Sequence, residues 1–487
     1  LLSDMAPDAV PAFLPAPTAD RSWRWALQTG TRIQDLRVQL AESGLTLDAV
    51  PSRAGDRLPE PERWRDLAAL ETRYLAALAE TGFADPVARQ LAWADAAPPP
   101  PDLESIILAG VPDPPDLAIR LLTRYADTIP IAVLVQAPPE LADTIDAWGR
   151  PRPEAWTNRV LPIRNPETLT LAADPEDQAR RLVAALDALP AAAPQDVALG
   201  VPDRDVAPFL EQELRARGLT ARIPEAPPLS RHPLGRLLER LRAFADAPDY
   251  AAVAALLRQD EVLAALVRHE AIPSAPLLAE LDAFQNAFLP IDLAAFTEAR
   301  LQGNIPAPDL RATGFPRLEK AVRFLRELQD RIQHAPSATA GIRNTLEMLT
   351  AGRSLDESLP RDRAFADAAS AITAALADME PVARLSRPLA VTDALDLLLQ
   401  TAGPRPLSRE PEPADLDLEG WLELPWNPAP YLLIAGLNEG RVPDSRMDDP
   451  FLPDAMRRTL GMRDDRRRFA RDLFLLTGLL ESRAPDA

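Results

Sequence analysis

Two kinds of apolar pattern alternate along this chain, and their order constrains the fold more than any other feature. Short strand-like runs followed by amphipathic helical patterns occupy 105–135 and 169–219. Only helical periodicity is found across 232–386, and strand-like runs return at 418–424 and 431–436. Alternating strands and helices are typical of a parallel sheet with covering helices. The sequence therefore predicts an α/β fold that carries a large helical insertion and is predominantly helical overall.

Length and these patterns divide the chain into five predicted segments. The chain has 487 residues, far more than the roughly 250 to 300 residues at which a single core stops growing. Residues 1–100 have a helical pattern, 101–165 are assigned to a first sheet domain, and 166–230 begin a second. Residues 231–387 are the predicted helical insertion, and 388–487 return to the second sheet domain.

Helix punctuation supports these assignments. Asp174 and Pro175 supply an N-cap and a first-turn proline, and Gly218 ends the helix that follows the next strand. Within the insertion, one set of apolar residues recurs at helical spacing. These residues are Leu318, Val322, Leu325, Leu328 and Ile332.

No targeting or membrane segment is expected from the sequence. The longest apolar run, 250–257, is well short of the roughly 20 residues that a membrane helix needs. Acidic residues Asp4 and Asp8 stand where a signal peptide carries basic ones. Cysteine is absent, which excludes disulfides, thiolate metal sites and a cysteine nucleophile. The sequence predicts a cytoplasmic protein without a membrane partner.

The balance of charge limits how the chain can contact nucleic acid. The formal net charge is -20, and phosphate-binding surfaces depend on clustered basic residues. Lys320 is the only lysine, so arginine supplies nearly all of the positive charge. Any contact with DNA is therefore expected to be local and to depend on arginine.

The most informative local pattern is YLLIAGLNEGRVP at 431–443, an apolar run followed by Gly436, Asn438, Glu439 and Gly440. Ligands bind at such strand ends in α/β sheets, and glycine permits close backbone approach. Glu439 is a candidate acceptor for hydroxyl groups or a metal ion. A purely structural turn explains the same residues, and the sequence leaves both interpretations open.

Three further motifs follow it: DPFLP at 449–453, RRTLG at 457–461 and RRRFARD at 466–472. With GLNEG, this order resembles motifs V and VI of superfamily 1 helicases, as found in AddB-type subunits of bacterial ATP-dependent helicase/nucleases. More weakly, 104–122 resembles a degenerate motif II, and 196–219 resembles motif IV. The resemblance covers most of the chain, but only the motifs in 436–472 are specific to the family.

This resemblance implies RecA-like parallel-sheet domains, with 1–100 and 231–387 as the helical 1B-like and 2B-like parts. It implies a role in double-strand break repair and recombination, in which the complex unwinds and resects DNA ends. The expected partners are DNA, single-stranded or as duplex ends, and an AddA-type helicase/nuclease subunit. ATP and magnesium are expected for the full complex.

The single lysine separates this chain from an active helicase or nuclease. A phosphate-binding loop needs GxxxxGK[ST], and a PD-(D/E)XK nuclease needs a lysine two residues after its metal-binding acid. Lys320 lies in a helical pattern without glycines, directly after Glu319. We therefore expect no catalytic residue, metal site or cofactor in this chain, with Gly436, Asn438, Glu439 and Gly440 as the remnant of a nucleotide cleft.

Arginines are the candidates for the motif VI role of reaching a γ-phosphate. They are Arg467, Arg468 and Arg471, with Arg483 as a fourth. The same side chains could instead form a solvated or DNA-facing surface. At the motif II position, Asp113 is interpreted as a turn former rather than as a metal ligand.

Four more residues are candidate DNA contacts: Trp421, Trp426, Arg457 and Arg458. Aromatic rings can stack on bases, although tryptophans in a strand more often belong to a core. The three histidines lie far apart without metal-ligand spacing.

Three functional hypotheses remain open on the sequence. The first is a helicase-like part of an AddB-type subunit whose catalytic parts lie outside this chain. The second is a catalytically silent helicase-fold scaffold or protein interaction module. The third is an unrelated α/β and helical interaction protein in which GLNEG is accidental. The helicase assignment fails if the strands near 105, 131, 197 and 431 do not share one or two RecA-like parallel sheets.

Overall fold

The computed structural model describes most of the chain as two compact units. The described residues are 2, 9–14, 22–161, 168–190, 194–222, 227–289, 314–385, 389–407, 416–445 and 449–482. The first unit comprises residues 1–224 and 412–487, and the second comprises residues 225–411. Arg483 and the acids Asp4 and Asp8 lie outside the described residues.

Four helices open the first unit: α1 (Trp23–Glu42), α2 (Ala49–Ala54), α3 (Pro61–Glu80) and α4 (Pro86–Ala96). The apolar faces of α1, α2 and α3 form one core, to which residues of 452–462 also contribute. A buried ion network joins α1 to the others, because Arg37 Nη2 lies 2.9 Å from Asp85 Oδ1 and its Nε also pairs with Glu71. Asp85 in turn caps α4 through the backbone N–H of Ala88. The Arg37 guanidinium on α1 is therefore linked to α3 through Glu71 and to the N-terminus of α4 through Asp85.

A strand–helix–strand unit follows. It consists of β1 (Ile106–Ala109), α5 (Asp116–Tyr125) and β2 (Ile131–Leu134). The two strands pair in parallel, with Ile106 opposite Ile131. The strand and helix positions predicted for 105–135 are confirmed.

The second sheet contains β3 (Val197–Gly200), β4 (Ala221–Arg222), β5 (Leu416–Glu419) and β6 (Tyr431–Ile434). Its order is β4-β5-β3-β6, and every neighbouring pair is parallel. All four residues of β3 are buried. A central strand that is apolar throughout is what a parallel sheet covered on both faces requires.

Helices cover both faces of this sheet. On one face lie α7 (Pro175–Asp187) and α8 (Ala207–Ala216), packed on β3 and on the Tyr431 side of β6. On the other face lie the short helix α6 (Pro153–Trp156) and the last helix of the unit, Asp465–Ser482. Gly200 faces this second layer, where Leu424 fills the space that a β-carbon would need.

Within its described residues the second unit has eight α-helices, and their apolar faces share one core. They are α9 (Pro233–Asp246), α10 (Tyr250–Leu257), α11 (Asp260–Glu270), α12 (Ser274–Phe288), α13 (Pro316–Gln333), α14 (Ala338–Thr350), α15 (Pro360–Leu385) and α16 (Val391–Ala402). The periodic set on α13 is buried as predicted, from Leu318 to Ile332. Two helices complete the first unit, α17 (Asp454–Leu460) and α18 (Asp465–Ser482).

Within the described residues, no single helix is long and apolar enough to cross a membrane. Taken together, α11 and α12 reach that length, but they are bent by 110° at the break between them. Their apolar residues, such as Val262 and Phe284, are buried in the core of the second unit.

The predominantly helical fold with parallel strands agrees with the sequence pattern, but two predicted strands differ. The strand predicted at 418–424 ends at Glu419, and Trp421 and Trp426 lie in a turn and a 3-10 helix. Pro425 lacks the N–H that a strand interior needs, and Gly420 favours a bend. The strand predicted to begin near Leu169 is not formed, since 169–172 carries no strand pairing.

Two glycine substitutions test this packing in opposite directions. In Gly200→Ala the new β-carbon lies 2.4 Å from Leu424 Cδ1 in a buried layer, so we expect destabilisation of about 1–3 kcal/mol. In Gly478→Ala, on α18, the β-carbon meets no atom within 4 Å, and removal of a helical glycine should stabilise by about 0.5–1 kcal/mol. Urea unfolding of both variants measures the difference, and equal shifts would contradict the packing described for Gly200.

Candidate functional site

The carboxyl ends of β3 and β6 lie side by side and bring the predicted glycine turn against the loop after β3. Gly436 has φ 95°, in the left-handed region that favours glycine. A β-carbon there would lie 2.6 Å from Asp203 Cβ and 2.8 Å from the Asp203 backbone nitrogen. Glycine is therefore required at this position by conformation and by space.

Asp203 is the centre of this strand-end site. Its Oδ2 accepts a hydrogen bond of 3.0 Å from Asn438 Nδ2. Its Oδ1 accepts from the backbone N–H of Asp205 and lies 3.4 Å from Arg441 Nε. Arg441 also donates through Nη2 to Asp205 Oδ2 at 3.1 Å. The buried carboxylate thus ties the turn after β6 to the loop after β3.

The structure separates the four predicted turn residues into two pairs. Gly436 is buried and Asn438 half-buried, whereas Glu439 and Gly440 are exposed. Sequence reasoning missed Asp203, although an acid just after a predicted strand was an available signal. The contacts fit the structural-turn interpretation for Gly436 and Asn438, and Glu439 remains accessible to a ligand.

A second cluster lies at the carboxyl end of β1, and we call it the arginine–aspartate cluster. Arg467 of α18 forks onto Asp116, with Nη1 3.2 Å from Oδ2 and Nη2 3.2 Å from Oδ1. Arg150, which follows β2, donates through Nη1 to the same Asp116 at 2.6 Å. Two guanidinium groups from separate elements therefore share the carboxylate at the start of α5.

Asp113 is the buried acid of this cluster and lies in the bend between β1 and α5. Its Oδ2 lies 2.6 Å from Arg463 Nε, but outside hydrogen-bond alignment. Arg463 also donates through Nη2 to the Asp113 carbonyl oxygen at 3.0 Å. The side chain of Asp113 therefore has a cationic neighbour and no aligned donor, and its position in a bend matches the turn-former interpretation.

The two acids of the cluster have opposite protonation preferences. Burial acts to raise the pKa of Asp116, but hydrogen bonds and charge from Arg467 and Arg150 outweigh it and hold the pKa below its ordinary value. Burial raises the pKa of Asp113 above its ordinary value, because the charge of Arg463 and its arginine neighbours does not fully offset the lost hydration.

Each of the three predicted motif VI-like arginines has an acidic partner. Arg467 pairs with Asp116, as described above. Arg468 is 3% exposed and donates to Asp465 at 2.7 Å, and Arg471 donates through Nε to Asp472 at 2.7 Å. Of the three, Arg467 is the one that reaches the end of β1 through a direct ion pair.

The four candidate DNA contacts lie in different environments. Trp421 is 8% exposed and donates to Asp472 Oδ1 at 3.1 Å, so its ring offers no free face. Arg457 is 3% exposed and pairs with Asp449 at 2.8 Å. Arg458 is half-exposed between Asp454 and Asp464. These placements favour structural roles for Trp421 and Arg457.

Trp426 differs from these residues because it is 47% exposed. Its ring lies against Gly110 at the end of β1, where any β-carbon would come within 2.2 Å of it. Val111, Leu134 and Phe474 line the same apolar crevice. Trp426 therefore offers part of a flat aromatic surface near the arginine–aspartate cluster.

The residues of both sites do not form a metal centre. Within the described part of the chain, no group of three or more acidic or histidine side chains is arranged to hold a metal ion.

The chain matches no protein-family model and no curated protein. What the two sites do is therefore inferred from their geometry and from the motifs that they carry.

Opposite pH responses are expected from the two acids. The lowered pKa of Asp116 means that its stabilising effect is present above about pH 4 and is lost as pH falls further. In Asp116→Asn we expect a loss of about 1 kcal/mol at neutral pH, since the pair is partly screened. That loss should shrink as the pH is lowered.

Asp113→Asn is the matched comparison. Because the folded-state pKa of Asp113 is raised, stability is lost as pH rises from the ordinary pKa of an aspartate through the folded-state pKa, and the loss is constant above that pH. The stability of Asp113→Asn relative to wild type should therefore improve as pH rises. Urea unfolding across this pH range measures both variants, and parallel pH profiles would contradict the assigned directions.

Proposed function

We propose that this chain is the helicase-like part of an AddB-type subunit that acts in DNA double-strand break repair. Its role in this segment is DNA binding and scaffolding during end processing rather than catalysis. The observation that carries the proposal is the meeting of α18, which bears the RRRFARD motif, with the end of β1, through Arg467 and Asp116. Helicase motifs VI and II would be brought together in this way.

Strand placement gives further support. The strand before GLNEG lies next to β3 in one parallel sheet, and β1 pairs with β2 in another. Parallel pairing of these strands supports the helicase hypothesis, which requires one or two parallel sheets of RecA-like form. We assign the sheets to RecA-like domains, because both ligand-facing motifs follow the carboxyl ends of parallel strands.

The residues present do not fit ATP and magnesium. Lys320 is exposed in the middle of α13, in the second unit, and neither site of the first unit contains a lysine. Asp113 and Asp116 already neutralise the arginines that could face a polyphosphate. Nucleotide chemistry is therefore assigned to the full complex and not to these residues.

DNA binding should depend on the exposed face of Trp426. Stacking of a base on an aromatic ring contributes about 1–3 kcal/mol by alanine substitution. Because half of this ring is covered, we expect Trp426→Ala to weaken binding of a single-stranded oligonucleotide about five- to tenfold. Fluorescence anisotropy with a labelled oligonucleotide measures the change.

Trp93→Ala is the matched control, because Trp93 is similarly exposed, at 51%, on α4. It should leave the affinity unchanged. Wild-type binding should be weak because the net charge of -20 opposes it, and it should fall with salt because local arginine patches supply its ionic part. Tight binding that is insensitive to salt, or equal losses in the two variants, would argue against the proposed surface.

The chain by itself should hydrolyse neither ATP nor DNA ends. No lysine is placed to neutralise a polyphosphate, and this is the physical reason for the expectation. Phosphate release and end digestion are measured with magnesium and duplex DNA, with Glu439→Ala as the comparison. Turnover above background that disappears in Glu439→Ala would overturn the assignment of this segment to a non-catalytic role.

A catalytically silent scaffold or protein interaction module is the second candidate. The pairing of Arg467, Arg468 and Arg471 with acids favours it, because paired guanidinium groups are less available to phosphate. The two candidates differ in a direct measurement. A scaffold would bind an AddA-type subunit with full affinity and would show no change in DNA affinity in Trp426→Ala.

A further inference from the structure

The outer edge of β6 is unpaired in the described sheet. Within the described residues, β6 pairs with β3 on one side and with no strand on the other. Yet both of its faces are covered, Tyr431 and Leu433 by the layer of α7 and α8, and Leu432 and Ile434 by the layer of α18. Such an edge is a row of free N–H and C=O groups beside apolar layers, and it is a template for another strand.

Within the described part of the chain, residues 169–172 form no strand pairing although their sequence has a strand pattern. Residues 168–172 read Thr-Leu-Thr-Leu-Ala, which alternates polar and apolar positions. Leu169 is 58% exposed and Leu171 is 95% exposed. Docking on a sheet would bury these two exposed leucine side chains, and burial of apolar surface is favourable.

The segment is tethered close to the sheet. Its end leads into α7 through Ala173 and Asp174, and both are fixed to the first turn of that helix. Asp174 Oδ1 accepts from the Asp177 N–H at 2.7 Å, and the Ala173 N–H donates to Asp177 Oδ2 at 3.0 Å. A connection of two residues between strand and helix is common in α/β units.

The handedness of crossovers defines where this strand would lie. The chain passes from β3 through α8 to β4, which lies beyond β5. Both α7 and α8 cover the same face and pack on each other. Crossovers between parallel strands are right-handed in about 98% of cases. Two successive crossovers over one face therefore progress across the sheet in one direction.

A strand that precedes α7 must then lie on the side of β3 away from β5 and β4. The position next to β3 on that side is taken by β6, so the remaining place is the outer edge of β6. Contact between α7 and β6 agrees with this path, since a crossover helix would have to pass over β6.

We propose that residues 168–172 dock on the outer edge of β6 as a fifth parallel strand. Leu169 and Leu171 then join Tyr431 and Leu433 under α7. Because β6 leads directly into the turn at Gly436, docking would add backbone hydrogen bonds to the strand that carries the strand-end site around Asp203. The proposal rests on sheet topology alone and does not depend on the proposed function.

The absence of cysteine gives a clean crosslinking test. Leu171→Cys is combined in turn with Tyr431→Cys and Leu433→Cys, because both positions lie on the α7 face of β6. Neighbouring strands are about 4.8 Å apart, within the range in which disulfides form. We expect an intramolecular disulfide in at least one of the two pairs under mild oxidation.

Leu171→Cys with Leu418→Cys is the matched control. Leu418 lies on β5 and contributes to the same apolar layer, but three strand spacings would separate it from the docked segment, about 14 Å. This pair should not crosslink. Failure of both test pairs, equal crosslinking of the control, or disulfides only between two copies of the chain would overturn the proposal.

Hydrogen exchange provides a test without cysteines. Leu171→Asp should accelerate exchange of the β6 amides in a peptide covering 431–434 by about tenfold, because an ionised side chain cannot dock under α7. Val160→Asp, at another highly exposed apolar residue, should leave this peptide unchanged. Unchanged exchange in Leu171→Asp would mean that the segment remains undocked, which contradicts the proposal.

Discussion

Parallel pairing of β3 with β5 on one side and β6 on the other is the interaction on which the first unit depends. The pairing joins segments that the helical unit separates in sequence, such as Leu199 with Leu418 and Leu433. It also aligns the carboxyl ends of β3 and β6, which brings Asp203 within hydrogen-bond distance of Asn438. This register also places Asp203 so close to position 436 that a β-carbon there would clash with it.

Much of the architecture could be predicted because it follows from apolar periodicity. The buried positions of α13 and the strand β3 are continuous signals within one segment. The turn at 421–426 could not be predicted in the same way, because its tryptophans and leucines give it the apolar composition that is typical of a strand. Its conformation is determined by Pro425 and by the hydrogen bond from Trp421 to Asp472, a residue distant in sequence.

The candidate sites were likewise predictable only where their residues lie in one local motif. Gly436 and Asn438 belong to a local motif and were visible in the sequence. Their partner Asp203, and the pairing of Arg467 with Asp116, depend on tertiary contacts between distant residues. Arginine in place of lysine also matters physically, because its planar fork can hold one carboxylate with two parallel hydrogen bonds. A chain with abundant acids can therefore fix its arginines in defined orientations.

The strands that flank the helical unit in sequence pair with each other, and so do the two ends of that unit. Ala221 of β4 lies opposite Leu416 of β5, and within the helical unit the first and last described segments are joined by backbone hydrogen bonds, including Leu229 to Arg405 and Leu407 to Pro227. The helical unit is therefore closed by hydrogen bonds between its own first and last described segments. Because these bonds lie within the helical unit and the β4–β5 pairing lies within the sheet, a change in helix number between the two closing segments would alter neither.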